Sequence, residues 1–150
     1  PMELNDEILI AAPRDRVFAA LNDPDILRVS IPGCEELIKH SDTDLEAKVV
    51  LKIGPVKARF AGKVKLDQTG APGRFTLTGE GNGGIAGFAK GGASVELIED
   101  PEGTLLRYTA TADVGGKLAQ LGNRLIAGTA RSLSEKFFEN FRAAVTGGAD

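Results

Sequence analysis

Residues 45–66 read LEAKVVLKIGPVKARFAGKVKL, and their alternation decides the fold class. Leu45, Ala47, Val49, Leu51 and Ile53 fall on one side of an extended chain, with Glu46, Lys48 and Lys52 on the other. After Gly54-Pro55, a turn dipeptide, Val56, Ala58, Phe60, Val64 and Leu66 alternate with Lys57, Arg59, Lys63 and Lys65. A period of two with one apolar and one charged side predicts an antiparallel hairpin with one face in water.

The same pattern continues outward. Segments 35–40, 75–81, 88–98 and 105–114 read as further strands, and the links 68–73 and 99–103 carry the Gly and Pro expected of hairpin loops. Residues 3–10 form one more short strand. Pro13 suits the first turn of a helix over 14–21. Asp23 then reads as an N-cap and Pro24 as the first residue of a second short helix, which Pro32 and Gly33 end. From Lys117 to Val145 the period becomes helical, with Leu118, Leu121, Leu125, Leu133, Phe137 and Phe141 at steps of three and four, and Ile126 and Phe138 beside them. The order is β-α-α-β6-α: an α+β domain whose long last helix must bury its stripe on the sheet's apolar face. The domain is expected over residues 1–146. Pro1 reads as a residue left by cloning, and residues 147–150 as a tail or the start of a linker.

The inward strand positions are unusually small. They include Ala47, Ala58, Gly62, Gly79, Gly81, Ala89, Gly91, Ala93, Ala110 and Ala112. Interiors normally pack to a density of about 0.75. Either the helix lies very close to the sheet, or a cavity remains above a strongly curved one; strand glycines also mark bends and close approaches. The cavity reading makes this a carrier of a hydrophobic small molecule. Its wall then includes Ala47, Ala58, Phe60, Gly62, Phe75, Gly79, Ala89, Gly91, Ala93, Tyr108, Ala110, Leu118, Leu121 and Leu125, with Tyr108, Gln120 and Asn123 as the few polar candidates. In a meander every second turn lies at the same end. Ile31, Pro32, Gly33, Ile53, Gly54, Pro55, Ile85 and Phe88 are therefore expected to gather there, as the rim of an entrance or as a plug.

Composition narrows the function. A formal charge of −3 lacks the dense basic face that a nucleic-acid partner requires. One cysteine, Cys34, allows no internal disulfide and fits a reducing compartment, here the cytoplasm. No run approaches the roughly 20 apolar residues of a membrane-spanning helix. Gly79-Glu80-Gly81-Asn82-Gly83-Gly84 matches a dinucleotide fingerprint, but a strand follows it where a helix is needed. His40 is the only histidine and Cys34 the only thiol, so neither a multi-histidine nor a multi-cysteine metal site can form. As a nucleophile–base pair they would stand roughly 20 Å apart at the ends of one strand. Asp113 is the one carboxylate expected near the entrance, and nothing pairs with it for acid–base work.

With Pro13-Arg14-Asp15-Arg16-Val17-Phe18 after the first strand, the layout resembles the START/Bet v 1 superfamily of helix-grip proteins. Three segments narrow the resemblance: 23–35, Val49-Val50-Leu51-Lys52-Ile53-Gly54-Pro55-Val56, and Gly87-Phe88-Ala89-Lys90-Gly91. Together they resemble CoxG, an accessory component of carbon monoxide dehydrogenase, and its relatives over nearly the whole domain. The resemblance implies an accessory protein, not a redox catalyst, that links a molybdenum-containing dehydrogenase to the membrane. It implies no covalent cofactor and a bound respiratory quinone, menaquinone or ubiquinone, as ligand. Many relatives carry a C-terminal anchor; without one, the expected membrane contact is peripheral, at the inner face of the cell membrane through the entrance turns. Two other readings stand beside the carrier: an enzyme of the polyketide cyclase or dehydratase kind, which uses this fold, and a ligand-free docking protein.

Overall fold

A computed structural model describes residues 2–147; Pro1 and the last tail residues, Gly148, Ala149 and Asp150, lie outside them. The elements follow in the order β1 (Met2–Ile10), α1 (Arg14–Leu21), α2 (Pro24–Ser30), β2 (Cys34–Lys39), β3 (Asp44–Ile53), β4 (Val56–Asp67), β5 (Arg74–Asn82), β6 (Phe88–Asp100), β7 (Gly103–Gly115) and α3 (Asn123–Val145). Short 3-10 segments, Gly84–Ala86 and Gly116–Leu121, precede β6 and α3. All strands join one antiparallel sheet in the order β1-β7-β6-β5-β4-β3-β2, the expected meander with β1 added beside β7. Charged residues of β4, Lys57, Arg59, Lys63 and Lys65, are exposed, while Phe60 opposite them is buried. This is the α+β helix-grip architecture.

Local chemistry sets the helix ends. The Asp23 carboxylate accepts the backbone N–H groups of Asp25 and Ile26, at 2.9 and 3.4 Å, and Pro24 follows at the first helical position. The single long helix expected from Lys117 is corrected: residues 116–121 are 3-10, and α3 begins at Asn123. Gly122 separates the two, at φ 92°, a left-handed conformation that a side chain would strain.

α3 is fastened at its far end. Phe141 and Val145 are buried with Ile10, Val17, Leu97 and Leu106 in the larger core cluster. Arg16 donates to the Val145 carbonyl at 2.6 Å, and Asn140 donates to the Ser30 carbonyl at 3.2 Å. At the other end Leu118 and Ile126 pack with Ile53, Phe60 and Ala86 in a second cluster. Between these ends, α3 makes its main strand contacts with β1 and β3, towards the two sides of the sheet. The helix thus spans the concave face and leaves its middle uncovered.

Thr104 ties this closed end together. Fully buried, it donates its hydroxyl to the Ala12 carbonyl at 2.7 Å, just ahead of α1. Thr104→Val keeps the shape and orphans that carbonyl, which should cost about 1–2 kcal/mol. Urea unfolding would register the loss as a lower midpoint at unchanged slope; an unaltered midpoint would mean that water takes over the bond.

Candidate functional site

The uncovered middle is a cavity of about 470 Å³. The sheet register explains its floor. Ala47, Gly62, Gly81, Ala89 and Val114 stand side by side across five strands, and Val64, Gly79, Gly91, Ala112 and Met2 form the next row. Side chains this short leave the concave centre low. Gly62, Gly81, Ala89, Ala112, Val114 and Met2 line the space, with Val49, Leu51, Ile53 and Phe60 at one side. The roof is one face of α3, Ile126, Thr129, Ala130, Leu133, Ser134, Phe137 and Phe138, with Leu118 before it and Ile31 and Pro32 from the α2–β2 turn.

The lining carries no titratable group. Its polar side chains are two hydroxyls, and Thr129 spends its own on the Leu125 carbonyl at 2.9 Å. Such a space solvates hydrocarbon and nothing charged. Its volume lies within the range of small-molecule sites, roughly 300–1,000 Å³.

The sequence-predicted wall divides. Phe60, Gly62, Ala89 and Leu118 line the cavity. Ala47 and Ala58 are half-buried beside it, Ala58 within the cluster around Phe60. Ala93 and Ala110 face each other across β6 and β7, one row beyond the floor. Phe75 is in the closed-end core, and Tyr108 stacks on Phe138 with ring centroids 5.2 Å apart, outside the main lining. Leu121 and Leu125 border an outer groove with Lys52, Arg124 and Lys136, and Gln120 and Asn123 are exposed. The break at Gly122 is the cause: it resets the helical phase, so the inward stripe of α3 starts at Ile126 and not at Leu125. Its steps, Ile126, Thr129, Ala130, Leu133, Ser134 and Phe137, were available as a signal once that phase is known.

Gly79 and Gly91 belong to a different explanation. Both also border a hollow on the charged side of the sheet, among Lys63, Lys65 and Lys90. A Cβ at Gly91 would run into the Thr111 carbonyl oxygen of the neighbouring strand. Close backbone approach requires that glycine. By contrast, a Cβ at Gly62 or Gly81 would meet nothing nearer than 3.6 Å.

The entrance turns are drawn to one end. Ile31, Pro32 and Ile53 line the cavity, and Leu125 covers Gly54. Gly83 lies against the Phe60 ring, and Gly87 against Gly115 and Leu118. Gly33 and Pro55 flank these turns, and Ile85 is 93% exposed and Phe88 46%. Asp113 stands on the outer face, directly across from Lys90. Cys34 and His40 stay apart: His40 meets Glu46 at 2.8 Å, and burial raises the Cys34 thiol above its ordinary value, the opposite of what a nucleophile needs. Among the described residues no group of three or more His, Cys, Asp or Glu could hold a metal ion, and no helix is long and apolar enough to cross a membrane.

Comparison with known proteins agrees with this architecture. The family model for CoxG of carbon monoxide dehydrogenase matches residues 7–146. A conserved protein from Geobacillus kaustophilus superposes with a TM-score of 0.89 at 29% identity, covering 97% of this chain and 95% of that one. A START superfamily protein from Mycobacterium smegmatis gives 0.72 at 13% identity, over 96% and 97%. The Zhui aromatase/cyclase from Streptomyces sp. R1128 gives 0.69 at 14% identity, over 97% and 92%; the last two share the fold. A comparison with curated proteins finds no match.

The two kinds of glycine predict opposite outcomes. Gly81→Leu should fill the cavity, abolish binding of the neutral apolar dye Nile red, and leave the melting temperature of the unliganded protein unchanged or higher. Gly91→Ala should instead cost about 1–3 kcal/mol through strain while leaving the cavity open. A large loss of stability in Gly81→Leu would show a floor already in contact with its roof.

Proposed function

The chain belongs to the CoxG family of carbon monoxide dehydrogenase, and from that membership we propose that it is a non-enzymatic carrier of a lipophilic small molecule. The ligand is a respiratory quinone, menaquinone or ubiquinone, and the protein serves a molybdenum-containing dehydrogenase of the carbon monoxide dehydrogenase type at the membrane. One observation carries the reading: an apolar cavity of about 470 Å³ whose lining offers only two hydroxyls as polar side-chain groups. An isoprenoid tail is matched to such a wall, since each buried methylene contributes about 0.8 kcal/mol. Acid–base catalysis on a polyketide needs a proton donor or acceptor within reach of the substrate, and the lining supplies no carboxylate, imidazole, amine or thiol.

The apolar end of the molecule supports membrane contact. Ile85 and Phe88 are exposed there, and Leu125 reaches 37% exposure beside Gly54. Lys52 and Lys57 face each other directly across the β3–β4 ladder, a like-charge pairing that destabilises a sheet by itself and suits an anionic surface. Apolar side chains would enter the headgroup boundary while the lysines meet the phosphates. A tail could then pass between bilayer and cavity without crossing water. The quinone would accept two electrons and two protons at the docked dehydrogenase and return as the quinol.

Solvent extraction of the protein purified from its native cells, followed by mass spectrometry, should release a quinone. Extraction of Gly81→Leu should release none. A wild-type protein that carries no lipid and fails to bind a short-tailed menaquinone would remove the carrier reading. For the membrane, the paired change Ile85→Ser and Phe88→Ser should reduce co-sedimentation with vesicles containing anionic phospholipid. Equal sedimentation of both proteins would count against contact at this end.

A further inference from the structure

A second, smaller hollow opens at the seam between β1 and α3, and it shares two wall residues, Ser134 and Phe138, with the apolar cavity. Its character is the reverse of its neighbour's. Asp6 comes from β1, Tyr108 from β7, and Glu135, Glu139 and Arg142 from α3. Asp6 and Tyr108 are direct partners in the β1–β7 ladder, both on the concave side, so the strand pairing itself brings the carboxylate to the phenol. Tyr108 is held in place by its stack on Phe138, at an interplanar angle of 24°.

Two features of this hollow point to a ligand's polar end. The hydroxyls of Tyr108 and Ser134 have no partner among the described residues, whereas Ser30, Thr129 and Thr146 each bond a carbonyl one turn back in their helices. Ser134 forgoes that bond at the point where the two spaces meet. The charges are also one-sided: three carboxylates stand against one guanidinium. An anionic group placed there meets net repulsion in a setting only partly screened by water.

We propose that this seam is the head-group subsite of the carried ligand, and that it selects an uncharged polar head over an anionic one. The inference rests on the carrier reading and adds its specificity. The tail lies in the apolar cavity. The head passes Ser134 and Phe138 and meets the Tyr108 hydroxyl, which can donate to a carbonyl or accept from an alcohol. A quinone, quinol or long-chain alcohol is accepted; a fatty acid or a lipid phosphate of equal length is refused.

Displacement of Nile red by hexadecanol and by palmitate isolates the head, because the two tails match. Wild-type protein should respond to hexadecanol at a concentration about tenfold or more below that for palmitate, the factor set by charge repulsion. The triple variant Asp6→Asn, Glu135→Gln, Glu139→Gln should bring the two within about twofold, chiefly by improving palmitate, as removal of like charge requires. Tyr108→Phe keeps the stack and should weaken hexadecanol while leaving Nile red binding unchanged. Equal displacement by both ligands in the wild type, or an unchanged ratio in the triple variant, overturns the subsite and leaves the carrier intact. Failure of Nile red and both ligands to bind at all removes the carrier and the subsite together.

Discussion

A straight helix laid over a curved sheet cannot touch it everywhere, and this protein fixes the contact at the ends. At its C-terminal end α3 is held by the buried Phe141 and Val145 and by the bonds from Arg16 and Asn140. At its N-terminal end Ile126 and the preceding Leu118 close the layer over Phe60. Everything between follows from that spacing. Rows of Gly and Ala across the central strands lower the floor, and the middle of α3 has little beneath it. Were the resulting space sealed and dry, the scaling measured for core cavities would put its cost at roughly 11 kcal/mol. That equals the whole stability of an ordinary domain. Two well-packed clusters must therefore carry the fold, and an occupant of the space contributes to stability as it binds.

The division between the two clusters also divides the chemistry. The closed end collects the polar ties, including the buried Thr104 and Ser30, and has nothing to offer a ligand. The open end gathers exposed Ile85 and Phe88 with the facing lysines Lys52 and Lys57. Polar groups enter the ligand space at its flank, along the β1–α3 seam, and not through its walls. A molecule with one long apolar end and one small polar end fits this division in a single orientation.

Much of this was legible in the sequence because it depends on periodicity. Alternation in residues 45–66 predicts both the hairpin and its inward face, and Asp23-Pro24 predicts the start of α2 to the residue. The small inward positions announce a low floor. Phase and depth were harder to read. Gly122 resets the helix, so Leu121 and Leu125, which continue the stripe on paper, turn to the outer groove while Ile126 turns in. A glycine has no side chain to declare which face it serves, so spacing alone does not separate Gly81, which makes room, from Gly91, which the Thr111 carbonyl requires. Tyr108 is inward as alternation predicts, but its row along β7 is beyond the floor, where Phe138 meets it.

The same end-fastening distributes compliance unequally. The floor strands sit in the interior of a seven-stranded sheet, bonded to neighbours on both sides, and resist bending. The roof has no such ladder. Midway along α3, Gly128 has open space around it and Thr129 bonds back to Leu125, a pairing that favours curvature in a helix. Wider ligands are then accommodated by bowing of the helix, like a beam pinned at both ends, and the sheet keeps its shape. The outer flank of that beam carries Arg124 and Lys136 beside Lys52. A bowed helix moves those two cations relative to the third, so the contents of the interior are written on the surface as a change in charge spacing.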